Sequence, residues 1–329
     1  MSQPSRRHTC ALLAALACGL LQAPATAHAA DVFPNRPVTL IVPFGAGSTT
    51  DIFARLIAEG LGKELAQAVV VKNITGAGGT LGLRQMLREP ADGYTLGLVT
   101  TSSIAINRAF YKDLPYDSLT DITIVGVPST TPNVLVVPST SSFKSVQDLA
   151  QAKSSDPMRY HSMGNGTSQQ LLSVLLSRLS QLDAQHIPYR GQEGVLGMLG
   201  GQTTFGFASV PAVSGLADGG KLRMLASTGP TSPQRYPAVP TLASLGYKGF
   251  EDGSSWYGVG IGTKAPPEIK ARLTEALARA AARPDLAKQL AEAGFEPAPP
   301  MNAAALDQFA KRQVDFWGAL VKESGVKPD

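Results

Sequence analysis

Ten short runs rich in β-branched, aliphatic and aromatic residues, at 38–43, 68–73, 94–100, 122–127, 134–137, 158–161, 185–188, 204–208, 222–227 and 256–262, alternate with helical patterns. Helical spacing of apolar residues is clearest at 52–65, 81–88, 146–152, 168–182 and 194–199, and each of these stretches separates two strand runs. Strands separated by helices need crossover connections, so the chain is expected to be an α/β protein with mainly parallel sheets flanked by helices. The last third changes character. Residues 267–282, 284–293 and 302–324 are helical, rich in alanine and charge, with proline at or near each start.

The most informative junction is VTLIVPFGAGSTTD at 38–51, where a strand runs into a glycine turn and then a helix. The first N–H groups of a helix lack intrahelical partners and carry the positive end of its dipole, which suits a carboxylate or phosphate. Gly45 and Gly47 let the backbone close in, and Ser48 is placed to cap the helix with Asp51 at its third position. Capping alone also explains both polar residues. The device recurs at residues 73–80 (NITGAGGT), 100–103 (TTSS) and 164–168 (GNGTS), each after a strand. In open α/β sheets ligands bind beyond the carboxyl ends of strands, so these turns outline one cleft of N–H and hydroxyl donors.

Residues 1–29 read as an export signal. Arg6 and Arg7 precede an apolar run at 11–21, and Ala27-His28-Ala29 fits the small-residue cleavage rule. The run is short for a membrane span, and no later stretch reaches the required length. Both cysteines, Cys10 and Cys18, lie in this segment, so the remainder is expected to rest on core burial without disulfides. The formal charge of +4 includes the two signal arginines, and Lys and Arg are scattered singly rather than clustered, which speaks against a nucleic-acid groove.

Enzyme readings find little support in the residues. His161 and His186 are far apart and lack metal-ligand spacing, so no metal or other cofactor is expected. No Gly-x-Ser-x-Gly elbow is present. GLADGGK at 215–221 nearly spells a phosphate loop, but Leu222 stands where Ser or Thr is needed and the order is helix then strand. A glycine turn ending a helix explains it.

The chain resembles the periplasmic solute-binding proteins of tripartite tricarboxylate transporters, the Bug receptors. The resemblance is carried by ordered segments over nearly its whole length: Arg36-Pro37-Val38-Thr39, Val42-Pro43-Phe44 with residues 47–51, Asn73 with residues 76–79, PADGYTL at 90–96, LPYD at 114–117, PNVLVV at 132–137, GNGTS at 164–168, Ile187-Pro188-Tyr189, LGGQ at 199–202, GKLR at 220–223 and Trp256-Tyr257-Gly258. It implies a two-domain, type II Venus-flytrap binding protein, with one domain from 30–131 and 253–329 and the other from 132–252. It also implies a monomer that captures a small organic carboxylate and hands it to the large and small membrane subunits of a carrier. Signalling to a membrane kinase is the alternative among binding proteins, and a secreted hydrolase or lyase the alternative from another class.

Carried over on this resemblance, the ligand loop falls on Phe44, Gly47, Ser48, Thr49, Thr50 and Asp51, and the opposing loop on Gly166, Thr167 and Ser168. Thr101, Ser102 and Asn133 are expected close by. Where many relatives place Asp-Asn, this chain has Ala208 and Ser209, which leans toward a ligand without an amine, and Gln170 stands where histidine is frequent. Arg190 is a candidate rim charge, although a solvated loop position explains it as well. Trp256 and Tyr257 are expected to pack at the hinge or to wall the cleft.

Overall fold

The computed structural model describes residues 33–152, 157–189 and 193–328, so the export segment with its two cysteines and Arg190 lie outside the described residues. The first half comprises β1 (Val38–Val42), α1 (Thr49–Leu65), β2 (Val69–Asn73), α2 (Thr80–Arg88), β3 (Thr95–Thr100), α3 (Asn107–Phe110), β4 (Ile122–Thr131), β5 (Asn133–Pro138), α4 (Val146–Ala150), β6 (Met158–Ser162) and α5 (Ser168–Leu179). There follow β7 (Ala184–Pro188), α6 (Glu193–Leu199), β8 (Phe205–Ser209), α7 (Val210–Asp218), β9 (Leu222–Ser227), β10 (Ser255–Gly262), α8 (Pro267–Ala282), α9 (Pro284–Glu292), β11 (Glu296–Pro297) and α10 (Ala303–Ser324). Each strand run in the sequence becomes a strand. The sequence reading lacked α3 and the wide π-helical turn Ser102–Ile106 that leads into it, α7, and the two-residue β11.

The strands form two sheets, ordered β11-β4-β10-β3-β1-β2 and β7-β6-β8-β5-β9. Both are mixed rather than mainly parallel. Pairs joined through helices, β1 with β2 and β3, and β6 with β7 and β8, are parallel. The chain passes from the first sheet to the second between β4 and β5, and returns between β9 and β10. Asn133 at the start of β5 lies opposite Ser209 at the end of β8, and Tyr257 near the start of β10 opposite Thr100 at the end of β3. A strand entering its sheet at the carboxyl ends of its neighbours must run against them, and β5 and β10 do so.

Strand periodicity divides each core in two. Val38, Leu40 and Val42 of β1 face α1, α8 and α9, whereas Ile41 faces the other way toward Leu83 of α2 and Trp256. In α1, Phe53, Ile57, Leu61 and Leu65 recur every four residues and form one buried stripe against Leu273, Ala276 and Ala280 of α8. Each such side chain contributes about 1.5–3 kcal/mol by leaving water. Gly60 lets α1 lie close to both α8 and α9, since a Cβ there would stand 3.3 Å from Ala280 Cβ and 2.7 Å from Leu286 Cδ2.

On the second sheet, Leu171, Leu172, Leu175 and Leu176 of α5 pack with Phe205 and Phe207 on one face, and Val195, Met198 and Val213 of α6 and α7 pack with Val134, Val136 and Ala208 on the other. Helix α10 belongs to both halves. Its Leu306 joins the first sheet's core beside Trp256, while Trp317, Leu320 and Val321 pack among the α5 leucines together with Ile106 and Phe110. At the junction Gln313 Oε1 accepts hydrogen bonds from Trp256 Nε1 at 2.9 Å and from Trp317 Nε1 at 3.1 Å. The GLADGGK segment ends α7, with Gly220 at φ +67° and Lys221 N donating to Leu216 O ahead of β9, a helix-ending turn.

Candidate functional site

Between the carboxyl ends of the two sheets lies a cleft of about 730 Å³. The first half contributes Pro43, Phe44, Ser48, Thr49 and Thr50 from the β1–α1 loop, residues 75–79 from the β2–α2 loop, and Thr100, Thr101 and Ser102 from the end of β3. The second half contributes Met163, Gly164, Asn165, Thr167, Ser168 and Gln169 from the β6–α5 loop, and Ser209 from the end of β8. Ser255, Trp256 and Tyr257 at the start of β10 close the back. No Asp, Glu, Lys, Arg or His is among these lining residues. The starts of α1 and α5 face each other across the space, so the wall presents hydroxyls and helix N-termini, which is an environment for an anion.

The β1–α1 loop is built to hold its donors still. Ser48 is the N-cap, and its Oγ accepts from Asp51 N at 3.2 Å. Asp51 turns away from the cleft. Its Oδ2 accepts from Gly47 N and Arg55 Nε, both at 2.9 Å, and its Oδ1 accepts from Asn73 Nδ2 at 2.9 Å. The same amide donates to Phe44 O at 2.9 Å, tying both ends of the loop to the end of β2. Burial acts to raise the Asp51 pKa, but Arg55, the Gly47 N–H and Asn73 together hold it below the usual carboxylate value.

The opposing loop is braced in another way. Thr167 caps α5, its Oγ1 accepting from Gln170 N at 3.4 Å and donating to Gly164 O at 2.8 Å. Gln170 Oε1 accepts from Gly166 N at 2.8 Å, and its Nε2 lies 3.0 Å from His186 Nδ1. Ser162 Oγ meets the other ring nitrogen of His186 at 2.7 Å. Gly166 has φ +70°, and a Cβ there would fall 2.7 Å from the Phe110 ring of the first half. Side-chain-free backbone is therefore required where the two halves touch.

Of the residues singled out in the sequence, Phe44, Ser48, Thr49, Thr50, Thr101, Ser102, Thr167, Ser168 and Ser209 line the cleft, as do Trp256 and Tyr257. Gly47, Asp51, Asn133, Gly166 and Ala208 do not. Asn133 sits at the crossing, where its Nδ2 donates to Gly253 O at 2.9 Å and Ser255 Oγ at 3.2 Å. Ala208 faces a small chamber behind the wall. Thr101 Oγ1 accepts from Trp256 N at 3.0 Å, so this hydroxyl joins β3 to β10 at the cleft floor. The sequence reading included Asn165 through the glycine turn at 164–168 but passed over Pro43, Met163, Gln169 and Ser255 as lining residues. Met163 and Gln169 directly flank that turn, which was the signal for them.

A family model described as the tripartite tricarboxylate transporter family receptor matches residues 53–326. Among solved structures, the periplasmic binding protein BugD is similar with a TM-score of 0.81 at 28% identity, covering 90% of this chain and 100% of that one. A protein of R. palustris with adipate has a TM-score of 0.83 at 30% identity over the same shares, 90% and 100%. MatC from Rhodopseudomonas palustris, with bound malate, has a TM-score of 0.79 at 26% identity, covering 88% of this chain and 100% of that one.

Proposed function

This chain belongs to the tripartite tricarboxylate transporter receptor family, and from that premise we propose that it captures a small organic carboxylate in the periplasm and presents it to the membrane subunits of a tripartite carrier. The observation that carries the reading is the cleft wall, which is rich in N–H and hydroxyl donors and lacks charged side chains. A carboxylate seated at the start of α1 takes hydrogen bonds from the main chain of residues 48–51 and from the hydroxyls of Ser48, Thr49 and Thr50. The start of α5, with Thr167 and Ser168, meets it from the other side. Gly47, Asp51 and Gly166 shape these loops, and Asn133 holds the crossing. Binding free energy then favours the closed arrangement, and a membrane partner discriminates closed from open. Related structures carry adipate and malate, and a cavity of about 730 Å³ accommodates molecules of that size with water.

A receptor returns its ligand unchanged. No Asp, Glu, Lys, Arg or His lines the cleft among the described residues, so the site supplies electrostatic complementarity without an obvious proton-transfer pair. The test is a thermal-shift screen of the ligand-free protein against di- and tricarboxylates, aromatic carboxylates and acidic amino acids, with the bound compound recovered and identified by mass spectrometry. A ligand at 100 times its dissociation constant adds about 2.7 kcal/mol, which corresponds to a rise of roughly 5–10 °C in a protein of this size. A carboxylate hit recovered intact supports the reading. Conversion of the compound on incubation, or stabilisation only by uncharged solutes, overturns it.

A further inference from the structure

Behind the wall made by Met163, Gln169 and Ser209 lies a second, small cavity of about 10 Å³, bounded further by His161, Ala208 and Ala212. Its size is near the lower limit for one water molecule. His161, 3% exposed, stands at its edge. The ring lies over Gly206 of β8, where a Cβ would come within 2.3 Å of its Cε1, and against Gly194 of α6, where one would come within 2.8 Å of its Cδ2. Two glycines thus make room for a polar ring in a layer otherwise filled by Val134, Val136 and Val195. Neither ring nitrogen has a hydrogen bond of good geometry, although the Phe205 main chain lies near enough to favour the protonated ring. A second feature opens on the same space. Helix α7 begins there without a side-chain cap, because the Ser209 hydroxyl is turned to Thr49 across the cleft at 3.3 Å.

An uncapped helix start and a buried imidazole with no well-formed hydrogen bond share a chemistry. The first attracts negative charge, and the second becomes a cation and a donor by accepting one proton. Resting on the carboxylate reading above, we propose that this chamber is a subsite for the far acidic group of a ligand that carries two, and that His161 takes up a proton from solvent as that group binds. The partition is suited to admit it. Met163 has a flexible thioether, and the volume behind is enough for one carboxylate oxygen or a single bridging water.

Electrostatics supports the coupling. Burial lowers the His161 pKa to about 4, with the Phe205 main chain opposing the shift and His186 adding to it, so the free ring is neutral near pH 7. Other charged groups on the packed elements, Arg159 of β6, Glu193 at the start of α6 and Asp218 at the far end of α7, are exposed and do not contribute to that shift. A carboxylate against the ring supplies the missing opposite charge and raises its pKa. Affinity for a two-acid ligand therefore strengthens as pH falls through the raised value, by up to about tenfold per pH unit, until the free value is reached. A one-acid ligand of the same length lacks this dependence.

The experiment is calorimetric titration of the protein with adipate and malate, and with hexanoate and butyrate as one-acid counterparts. Titrations run at pH 7.5 and 5.5 in buffers of contrasting ionisation enthalpy, with ring NMR of His161 and His186 assigned through His161→Gln and His186→Gln. The expected result is net proton uptake with a diacid alone, at least about a fivefold gain in diacid affinity at the lower pH, and a raised pKa for His161 but not for His186. Diacid binding without proton uptake, or uptake traced to His186, overturns the inference while leaving the carboxylate reading intact. Absence of binding by these four and by every other carboxylate in the thermal screen overturns both. Should His161→Gln fail to fold, proton uptake by the unaltered protein still decides.

Discussion

The hydroxyls of Thr49 and Ser209, 160 residues apart in the chain, meet at 3.3 Å across the cleft. Each stands at the start of a helix, α1 and α7, and the two helices belong to opposite halves. The contact exists only when the halves are close, so it favours the closed arrangement. Ser209→Ala is expected to weaken ligand binding about three- to tenfold, the worth of one ordinary hydrogen bond, with little change in melting of the ligand-free protein. Calorimetry with the screened ligand measures it, and unchanged affinity would mean the contact plays no part in closure.

Thr50→Pro removes a main-chain donor at the second position of α1. Proline is tolerated at such a position, as Pro211 shows at the same place in α7. Affinity should fall by about ten- to a hundredfold, the range for a hydrogen bond to a charged group, while the ligand-free melting temperature moves by less than about 2 °C. Loss of fold and affinity in parallel would place the anion elsewhere.

Asp51 holds its loop through three partners, so its removal is felt in stability as well as binding. Asp51→Ala leaves the Gly47 N–H and the Asn73 amide without their acceptor and should cost about 1–3 kcal/mol. The pH dependence has a definite sign. The folded pKa is depressed, so the stabilisation is fully present above the unfolded value near 3.8 and is lost as pH falls through the lower, folded value. Acid melting curves of the two proteins should therefore begin to approach each other only below about pH 4 and meet below the folded value.

Gln313→Leu deprives two buried indole N–H groups of their shared acceptor. At about 1–3 kcal/mol for each orphaned group, the melting temperature should drop by several degrees, about 2–4 °C per kcal/mol. A drop no larger than that of a surface substitution on α10 would show that both indoles find other partners.

Salt offers a separate test of an uncharged wall. With no Asp, Glu, Lys, Arg or His lining the cleft among the described residues, affinity for a one-acid ligand should change by less than about twofold between 0.05 and 0.5 M sodium chloride. A steep decline would reveal a cationic side chain reaching the ligand, with Arg190 the first candidate to mutate.

Much of this architecture was legible in the sequence because its signals are local. Period-two burial in β1 and the four-residue stripe of α1 are set by neighbours within one element, and the Ser48 cap by three residues. Strand direction was less legible. Whether β5 or β10 runs with or against its neighbours depends on which side the chain enters from, a property of the crossings at 131–133 and 227–255 that no window of residues contains. The π-helical turn at 102–106 was hidden because its Ser103 bonds back to Thr100 at the end of β3, and TTSS reads as an ordinary turn in sequence. Site residues divided in the same way. The hydroxyls at helix starts were readable, whereas the outward turn of Asp51 follows from Asn73 and Arg55, and the need for glycine at 166 follows from Phe110, a residue of the other half.

The chain contains two tryptophans, and both converge on Gln313 where α10 spans the two halves. Trp256 also borders the cleft. The protein is thus its own optical gauge: a shift in intrinsic emission on adding a solute reports closure directly, without a dye, a label or an engineered cysteine.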